Sequence, residues 1–318
     1  MKKVSISRRK AIVSLALGSA SLSLPLKAIT REAPRGYAGR KPVPLESKFR
    51  FCLNASTISG QKPDLHKQVE IASKAGYDGI EVWVKDVQDS LAKGNSTAAL
   101  KSFINDHGIK VENAIGFAPW ITGGDAGFRQ MEEEMDLLAA IGCRRVAAPP
   151  AGVPADQPLD LFMAGEKYSQ LLDLGRKTGV MPQLEFWGSS PVLWHLGQVL
   201  MIAAIADDPD ARILPDIYHL FRGGSGFNAL KLVNGSAIEI FHMNDFPAQI
   251  AREEQSDADR VYPGDGAAPL QEILSDLRNM GGEKVLSLEL FNRSYWQEDP
   301  LKVAVKGLEK MKMAVFSL

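Results

Sequence analysis

Cysteine is nearly absent from this chain: Cys52 and Cys143 are the only two in 318 residues. Two thiols cannot build a disulfide framework, and both stand beside apolar, strand-like segments where a buried, inert thiol is the ordinary state. An excess of charge of either sign is missing as well. Thirty-seven basic side chains against 38 acidic ones leave a formal net charge of −1, so nothing draws the whole chain to nucleic acid or to an anionic membrane. No G-x-G-x-x-G follows the first apolar run, which removes the usual dinucleotide fingerprint. No short repeat or coiled-coil heptad is present. What remains is 45% apolar and 24% charged, the balance of a soluble globular enzyme with a substantial core.

The N-terminus is distinct from the rest. "MKKVSISRRK" is basic, and "AIVSLALGSASLSLPL" (11–26) follows without a charge. That is the layout of a signal peptide, too short to cross a bilayer comfortably as a helix. Ser7-Arg8-Arg9 before the apolar run resembles a twin-arginine export signal, although Ala11 stands where such signals often carry a bulky apolar residue. The reading is a signal peptide over 1–28, a linker rich in proline and charge over 29–48, and one domain over 49–318. It predicts an exported, periplasmic protein, by a twin-arginine or Sec route, with no stable membrane span after processing.

From residue 49 the pattern alternates between short β-branched runs and longer segments of helical periodicity. Strands are predicted at 49–56, 78–84, 109–116, 144–149, 180–186, 211–217, 237–243 and 284–290. Between them, "DLHKQVEIASKAG", "MEEEMDLLAAIG", "GEKYSQLLDLGRKTG" and "LQEILSDLRNMGG" read as helices closed by glycine. Eight strands alternating with eight helices in one domain predict an α/β fold, a (β/α)₈ TIM barrel. An open doubly wound sheet is the alternative. The polar stretch "AREEQSDADRVYPGDGAAPL" after strand seven would then lie over the top of the barrel.

Two glutamates sit where burial should penalise them: Glu289 in "VLSLEL" and Glu185 in "PQLEFWG". In a TIM barrel the C-terminal strand ends face the active site. Strand five ends near Glu185, strand six near Asp216, strand seven near His242 and strand eight near Glu289. A lone acid at a strand end is usually a helix cap or an ion-pair partner, and a lone histidine is usually a core residue. Four such groups on consecutive strands form instead a nest for a divalent metal, which relieves their mutual repulsion.

These segments carry a resemblance. "IE-W" at strand two, "LE" at strand five, "D-x-x-H" at strand six, "H-x-x-D" at strand seven, "R-x-x-P-G-x-G" in the next loop and "ELF" at strand eight resemble the xylose isomerase-like TIM barrels. That superfamily of sugar phosphate isomerases and epimerases includes inosose isomerases and dehydratases, ketose 3-epimerases and endonuclease IV. The resemblance spans about residues 49 to 316 in order. It implies that Glu185, Asp216, His242 and Glu289 hold one divalent ion, Mn²⁺ foremost, with Mg²⁺, Co²⁺ and Zn²⁺ as alternatives. It implies that Glu185 and Glu289 are also the catalytic acid/base pair. It further implies that His219 reaches the substrate or a second metal position, that Arg260 binds a substrate oxygen, and that Glu81, which matches a glutamate common at strand two, binds substrate.

A metal ion and two opposed carboxylates suit proton transfer beside a carbonyl. Return of the proton to the other face gives an epimerase, return to the next carbon an isomerase, and loss of a β-leaving group a lyase. The ketose 3-epimerase branch carries a further glutamate soon after the strand-five ligand, and "LEFWGSSPV" offers none, which weighs against a free-ketose epimerase. Asp245 and His219 stand ready for proton handling. Trp187 can stack on a sugar face or pack at the strand end. "FRGGSG" (221–226) reads as a turn rather than a phosphate cradle, so the expected substrate is an unphosphorylated small sugar, keto-sugar or keto-glycoside. A DNA-repair endonuclease is disfavoured by only five histidines and no basic bias. A non-catalytic exported sugar-binding protein is the rival of another class. Homo-oligomerisation is left open.

Overall fold

The computed structural model describes residues 49–317; the expected signal peptide over 1–28 and linker over 29–48 lie outside them. Eight strands run in chain order: β1 (Phe49–Asn54), β2 (Gly79–Trp83), β3 (Lys110–Ile115), β4 (Arg145–Ala148), β5 (Met181–Glu185), β6 (Ile213–Leu214), β7 (Ile240–Met243) and β8 (Lys284–Leu288). Each falls within the run predicted for it. All pair in parallel, in the orders β3-β2-β1-β8-β7 and β4-β5-β6. The bridges Ile213–Ile238 and Asp216–His242 join the strip carrying β6 to the one carrying β7, and β3 lies against β4. Because β1 pairs with β8 from Phe49–Lys284 to Leu53–Leu288, the sheet curls on itself. An open doubly wound sheet would not bring its first and last strands together.

Nine α-helices cover the described barrel: α1 (Leu65–Ala75), α2 (Val84–Ala92), α3 (Thr97–Asp106), α4 (Gly124–Ala140), α5 (Leu161–Thr178), α6 (Leu196–Ala206), α7 (Ile217–Arg222), α8 (Leu270–Asn279) and α9 (Pro300–Phe316). The extra one arises after β2, where the chain turns at Gly94 (φ 94°) and Ser96 caps a fresh helix by accepting the Ala99 N–H. Asp64 caps α1 in the same way, and Gly76 (φ 88°) closes it in a left-handed conformation. The helix α5 starts four residues before the "GEKYSQ" segment read from periodicity, because Asp160 accepts the N–H groups of Phe162 and Met163.

The barrel interior is layered by the two-residue period of its strands. Near the N-terminal strand ends lies a chain of ion pairs: Arg50–Glu112 (2.6 Å), Arg145–Glu112 (3.2 Å), Arg145–Glu239 (2.6 Å) and Arg212–Glu239 (3.1 Å). Above it Cys52, Ala147, Leu214, Ile240 and Val285 form a dry layer. Burial pushes the Cys52 thiol well above its ordinary range and Cys143 up to about 12, so both cysteines are inert. The outer face of the strands packs on the helices in one continuous apolar cluster. Among the described residues no helix is long and apolar enough to cross a membrane. The dry layer forces the ionisable side chains of the next level to find their partners among themselves.

Candidate metal centre

His242, in β7, organises that upper level. Its Nε2 lies 3.0 and 3.1 Å from the two oxygens of Glu81. Glu81 is fully buried in β2, and its oxygens also accept Asn113 Nδ2 (2.7 Å), Asn54 Nδ2 (2.9 Å) and Ser287 Oγ (2.6 Å). Burial raises the cost of charging Glu81, but His242 and these donors hold its pKa below the usual range. The carboxylate therefore fixes a proton on Nε2 and leaves Nδ1 on the side of Asp216 and Glu289. This corrects the expectation that Glu81 binds substrate: it lies beneath the histidine, with every oxygen engaged.

His242 Nδ1 is 3.2 Å from Glu289 Oε2 and 3.6 Å from Asp216 Oδ2, yet it makes no hydrogen bond. Ligand atoms of Asp216, His242 and Glu289 all lie within 4.8 Å of one another. Asp216 owes its place to the start of α7. Its Oδ1 accepts the His219 N–H at 2.9 Å as the helix cap, and Asn244 Nδ2 reaches both its oxygens (3.2 and 3.1 Å). Asp216 is thus a helix cap that also stands in the cluster with His242 and Glu289. Burial opposes its ionisation, but Arg260, His219 and His242 hold its pKa well below the carboxylate range. His242 is displaced the other way: burial disfavours its charge, while Glu289 and Glu81 raise its pKa well above the ordinary value.

Glu185 falls outside that trio, so the expected quartet appears as three clustered groups and a neighbour. It is 4% exposed, and its Oε2 has no hydrogen-bond partner. Burial, eased by His242 and reinforced by Glu289, Glu81 and Asp216, pushes its pKa up to about 8. Two buried atoms without hydrogen bonds, His242 Nδ1 and Glu185 Oε2, thus stand with the carboxylates of Asp216 and Glu289, whose charges act on Glu185. A donor set of carboxylate oxygens and one imidazole nitrogen fits a divalent cation.

Arg260 arrives from the polar loop after β7. Its guanidinium is 1% exposed, with Tyr218 on one side (4.7 Å to the ring centre) and Phe291 on another (5.1 Å). Nη1 donates to Asp216 Oδ2 and Glu289 Oε2, both at 2.8 Å, while Nε and Nη2 donate to Asp257 Oδ1 at 3.0 and 2.5 Å. Arg260 therefore reaches the site as anticipated, but its donors hold protein carboxylates rather than standing open to a substrate oxygen. His219 Nδ1 accepts the Gly188 N–H at 3.1 Å, and its Nε2 lies 3.2 Å from Arg260 Nη2. Burial keeps His219 below its ordinary pKa.

Asp245 has a different task from the one expected. Its oxygens accept four backbone N–H groups, from Phe246 (2.8 Å), Ala268 (2.8 Å), Gly264 (3.0 Å) and Gly266 (3.1 Å). It pins the loop that carries Arg260 and is not available for proton handling. Trp187 stays half-buried at the mouth. Its ring lies 6.3 Å from Phe117, and Phe117 meets Trp83 edge-on at 5.4 Å. Phe117, 46% exposed, was not legible as a site residue; nor were Asn54, Asn113, Asn244, Ser287 and Asp257. Asn54 and Asn244 had a signal, since each stands at or just beyond a strand end, but neutral amides draw no attention in a search for ligands.

Comparison with known proteins bears on the same residues. The chain is similar to the inosose isomerase of Bacillus velezensis, 28% identical over 283 residues, which are 84% of this chain and 99% of that one. It is similar to the 3-dehydroshikimate dehydratase of Pseudomonas aeruginosa, 24% identical over 270 residues, 80% of this chain but only 40% of that protein. Among solved structures, the IolI protein with a bound zinc atom superposes with a TM-score of 0.77 at 24% identity, covering 84% of this chain and 98% of that one. The family model for xylose isomerase-like TIM barrels matches residues 69–313, and the chain belongs to that family.

Proposed function

We propose that this protein is a divalent-metal-dependent isomerase or epimerase that moves a proton beside the carbonyl of an unphosphorylated sugar or keto-sugar. The observation that carries the reading is the cluster of Asp216, His242 and Glu289 with Glu185 electrostatically linked beside it, in which one oxygen of Glu185 and one nitrogen of His242 make no hydrogen bond. Relatives that are isomerases by name support the reaction class. Asp216, His242 and Glu289 would hold the cation, with Glu185 beside them. A bound divalent ion supplies Lewis-acid polarisation of the substrate carbonyl, which makes the adjacent C–H acidic enough to remove.

The protein's own groups do the rest. Glu185, whose pKa lies near physiological pH, is suited to exchange a proton rather than hold a permanent charge. Glu289 is fixed by Asn54 (3.2 Å) and Arg260 (2.8 Å) and is the second carboxylate for proton return. Asp216 stays ionised because Arg260 faces it. Trp187 and Phe117 wall one side of the mouth and limit access of water.

Elimination is the second reading, favoured by the likeness to 3-dehydroshikimate dehydratases, because the same enolate can expel a β-substituent. Deuterium uptake separates the cases. Metal-loaded protein in D₂O, with ketoses, inososes and 3-keto-glycosides, is expected to label one substrate carbon, and Glu289→Gln to slow labelling by about 10²- to 10⁴-fold. No labelling with any of them, together with negligible metal content, would favour a sugar-binding protein instead. Export is proposed on the basic and charge-free N-terminal segments alone. Its test is cell fractionation of the chain with Arg8 and Arg9 both changed to Lys, and undiminished export of folded protein would remove the twin-arginine route.

A further inference from the structure

A cavity of about 360 Å³ opens between α1 and α2, beside the barrel mouth. That volume suits a monosaccharide unit with its water. One wall is Trp83, whose Nε1–H is held by Ser56 Oγ at 2.9 Å, so the indole is pinned in place. The floor includes Gln68, 3% exposed. Its Nε2 donates to Pro63 O (3.1 Å) and Asp86 Oδ2 (2.9 Å), and its Oε1 has no partner. A buried amide oxygen without a donor is costly, and a small turn of the Gln68 side chain would present it to a hydroxyl in the cavity. The lining sets two lysines, Lys62 and Lys93, among three aspartates, Asp64, Asp86 and Asp89, so both signs of charge are present. Lys62 is also held in a left-handed conformation (φ 56°) that a lysine rarely adopts.

Mixed charge disfavours a phosphate or a free dication, while an aromatic wall above interleaved donors and acceptors favours a neutral polyhydroxylated ring. The cavity is also linked to the metal centre by aromatic rings: Trp187, two residues from Glu185, then Phe117, then Trp83, with centroid steps of 6.3 and 5.4 Å. We propose that the cavity is a second carbohydrate subsite, which takes the non-reacting ring of a glycoside while the reacting ring lies over the carboxylates. The inference rests on the reading of the centre as a sugar site and narrows it: the substrate is a glycoside of at least two rings, or carries an aglycone of sugar size.

Non-reacting disaccharides serve as probes. Sucrose, maltose and trehalose, against glucose and methyl α-glucoside, are titrated into the full chain by saturation-transfer NMR and tryptophan quenching. At least one disaccharide is expected to bind about tenfold tighter than either monosaccharide, a difference of about 1.4 kcal/mol. In Gln68→Met and Asp86→Asn that ratio is expected to fall below about twofold. The ratio is the readout, because a general loss of fold weakens every ligand and leaves the ratio unchanged. Equal affinities, no disaccharide binding, or a ratio preserved in both variants would overturn the subsite. Deuterium labelling of a monosaccharide without any disaccharide preference sinks the subsite and spares the chemistry. A Gln68-dependent preference without labelling of any substrate does the reverse.

Discussion

Replacing Asp245 by alanine tests whether one carboxylate holds the roof of the site. Its two oxygens receive four backbone N–H groups from three turns of the same loop, and the Asp245–Val261 bridge ties the loop's far limb to β7. Gly266 packs so close that an added Cβ would meet Phe246 O at 2.3 Å and Asp245 Oδ1 at 2.4 Å, so the loop has no freedom to re-form around a different anchor. Each buried donor left unpaired costs about 1–3 kcal/mol. The N–H groups of Gly264 and Gly266 lie near the surface and can turn to water, and burial raises the pKa of Asp245 despite its four donors, so removing the carboxylate also recovers a desolvation cost.

The net loss is therefore about 2–4 kcal/mol, and for a domain of this size the melting midpoint should fall by about 5–15 °C. Asn keeps one acceptor oxygen and should lose about half as much. The same variants should slow sugar proton exchange by about 10- to 100-fold, because Arg260 is delivered by this loop and a displacement of about 1 Å at a catalytic carboxylate has that effect. Calorimetry and deuterium uptake on Asp245→Ala, Asp245→Asn and the parent give both numbers. An alanine variant melting within about 2 °C of the parent would show that the loop is held elsewhere and that Asp245 is not its anchor.

Three further outcomes follow from buried polar groups, two ionisable and one neutral. Glu185 keeps its proton up to about pH 8 in the folded chain but loses it near 4.3 when unfolded, so its contribution destabilises the protein progressively as pH rises through that window. Melting of chelated protein should show the decline, and Glu185→Gln should flatten it; an unchanged slope would dismiss Glu185 as the source. His242 is held protonated by Glu289 and Glu81 against the effect of burial, so a cation binding at Nδ1 must release that proton. Calorimetric titration with Mn²⁺ in buffers of different ionisation enthalpy should detect the release, and buffer-independent heats would count against Nδ1 as a ligand. Gln183, fully buried in β5 with neither amide atom paired to protein, should be replaceable by methionine with a gain of about 2–6 °C; a loss of similar size would mean that internal water already satisfies it.

Strand positions and barrel closure were legible because alternation and β-branching record burial directly, and every observed strand lies inside its predicted run. The ionisable strand ends were legible for a related reason: Glu185 and Glu289 interrupt apolar runs, and such interruptions require partners. The division of labour among acids was not legible. Glu81 and Glu289 look alike in sequence, each a glutamate in a β-branched strand. Glu81 stands two residues before its strand's end and meets Asn54, Asn113 and Ser287 from three other strands. Glu289 stands just beyond its strand and meets Arg260. Asn54 Nδ2 reaches both, Glu81 at 2.9 Å and Glu289 at 3.2 Å, so their remaining partners decide which becomes a support and which meets Arg260. Asp245 misled for a similar reason, since its partners are backbone N–H groups 19 to 23 residues away, and backbone donors leave no mark in a sequence.

The charge arrangement accounts in physical terms for glutamates buried in apolar strands. Glu81, Glu185, Asp216 and Glu289 are four carboxyl groups at one level of the barrel, faced by two cationic side chains, His242 and Arg260. Ionised together they exceed those cations by two charges, and the dry layer of Cys52, Ala147, Leu214, Ile240 and Val285 beneath them cannot screen the excess. The chain alone eases it by one charge, by keeping a proton on Glu185, as its raised pKa shows. A divalent cation at His242 Nδ1, displacing the proton there, would add one net positive charge, ease the excess equally without the proton on Glu185 and free Glu185 to accept one from a substrate. In this geometry metal binding and the making of a base would be one electrostatic event. For that reason Glu185 gains by standing beside the clustered trio rather than within it: a carboxylate fully committed to the ion would be a poorer base.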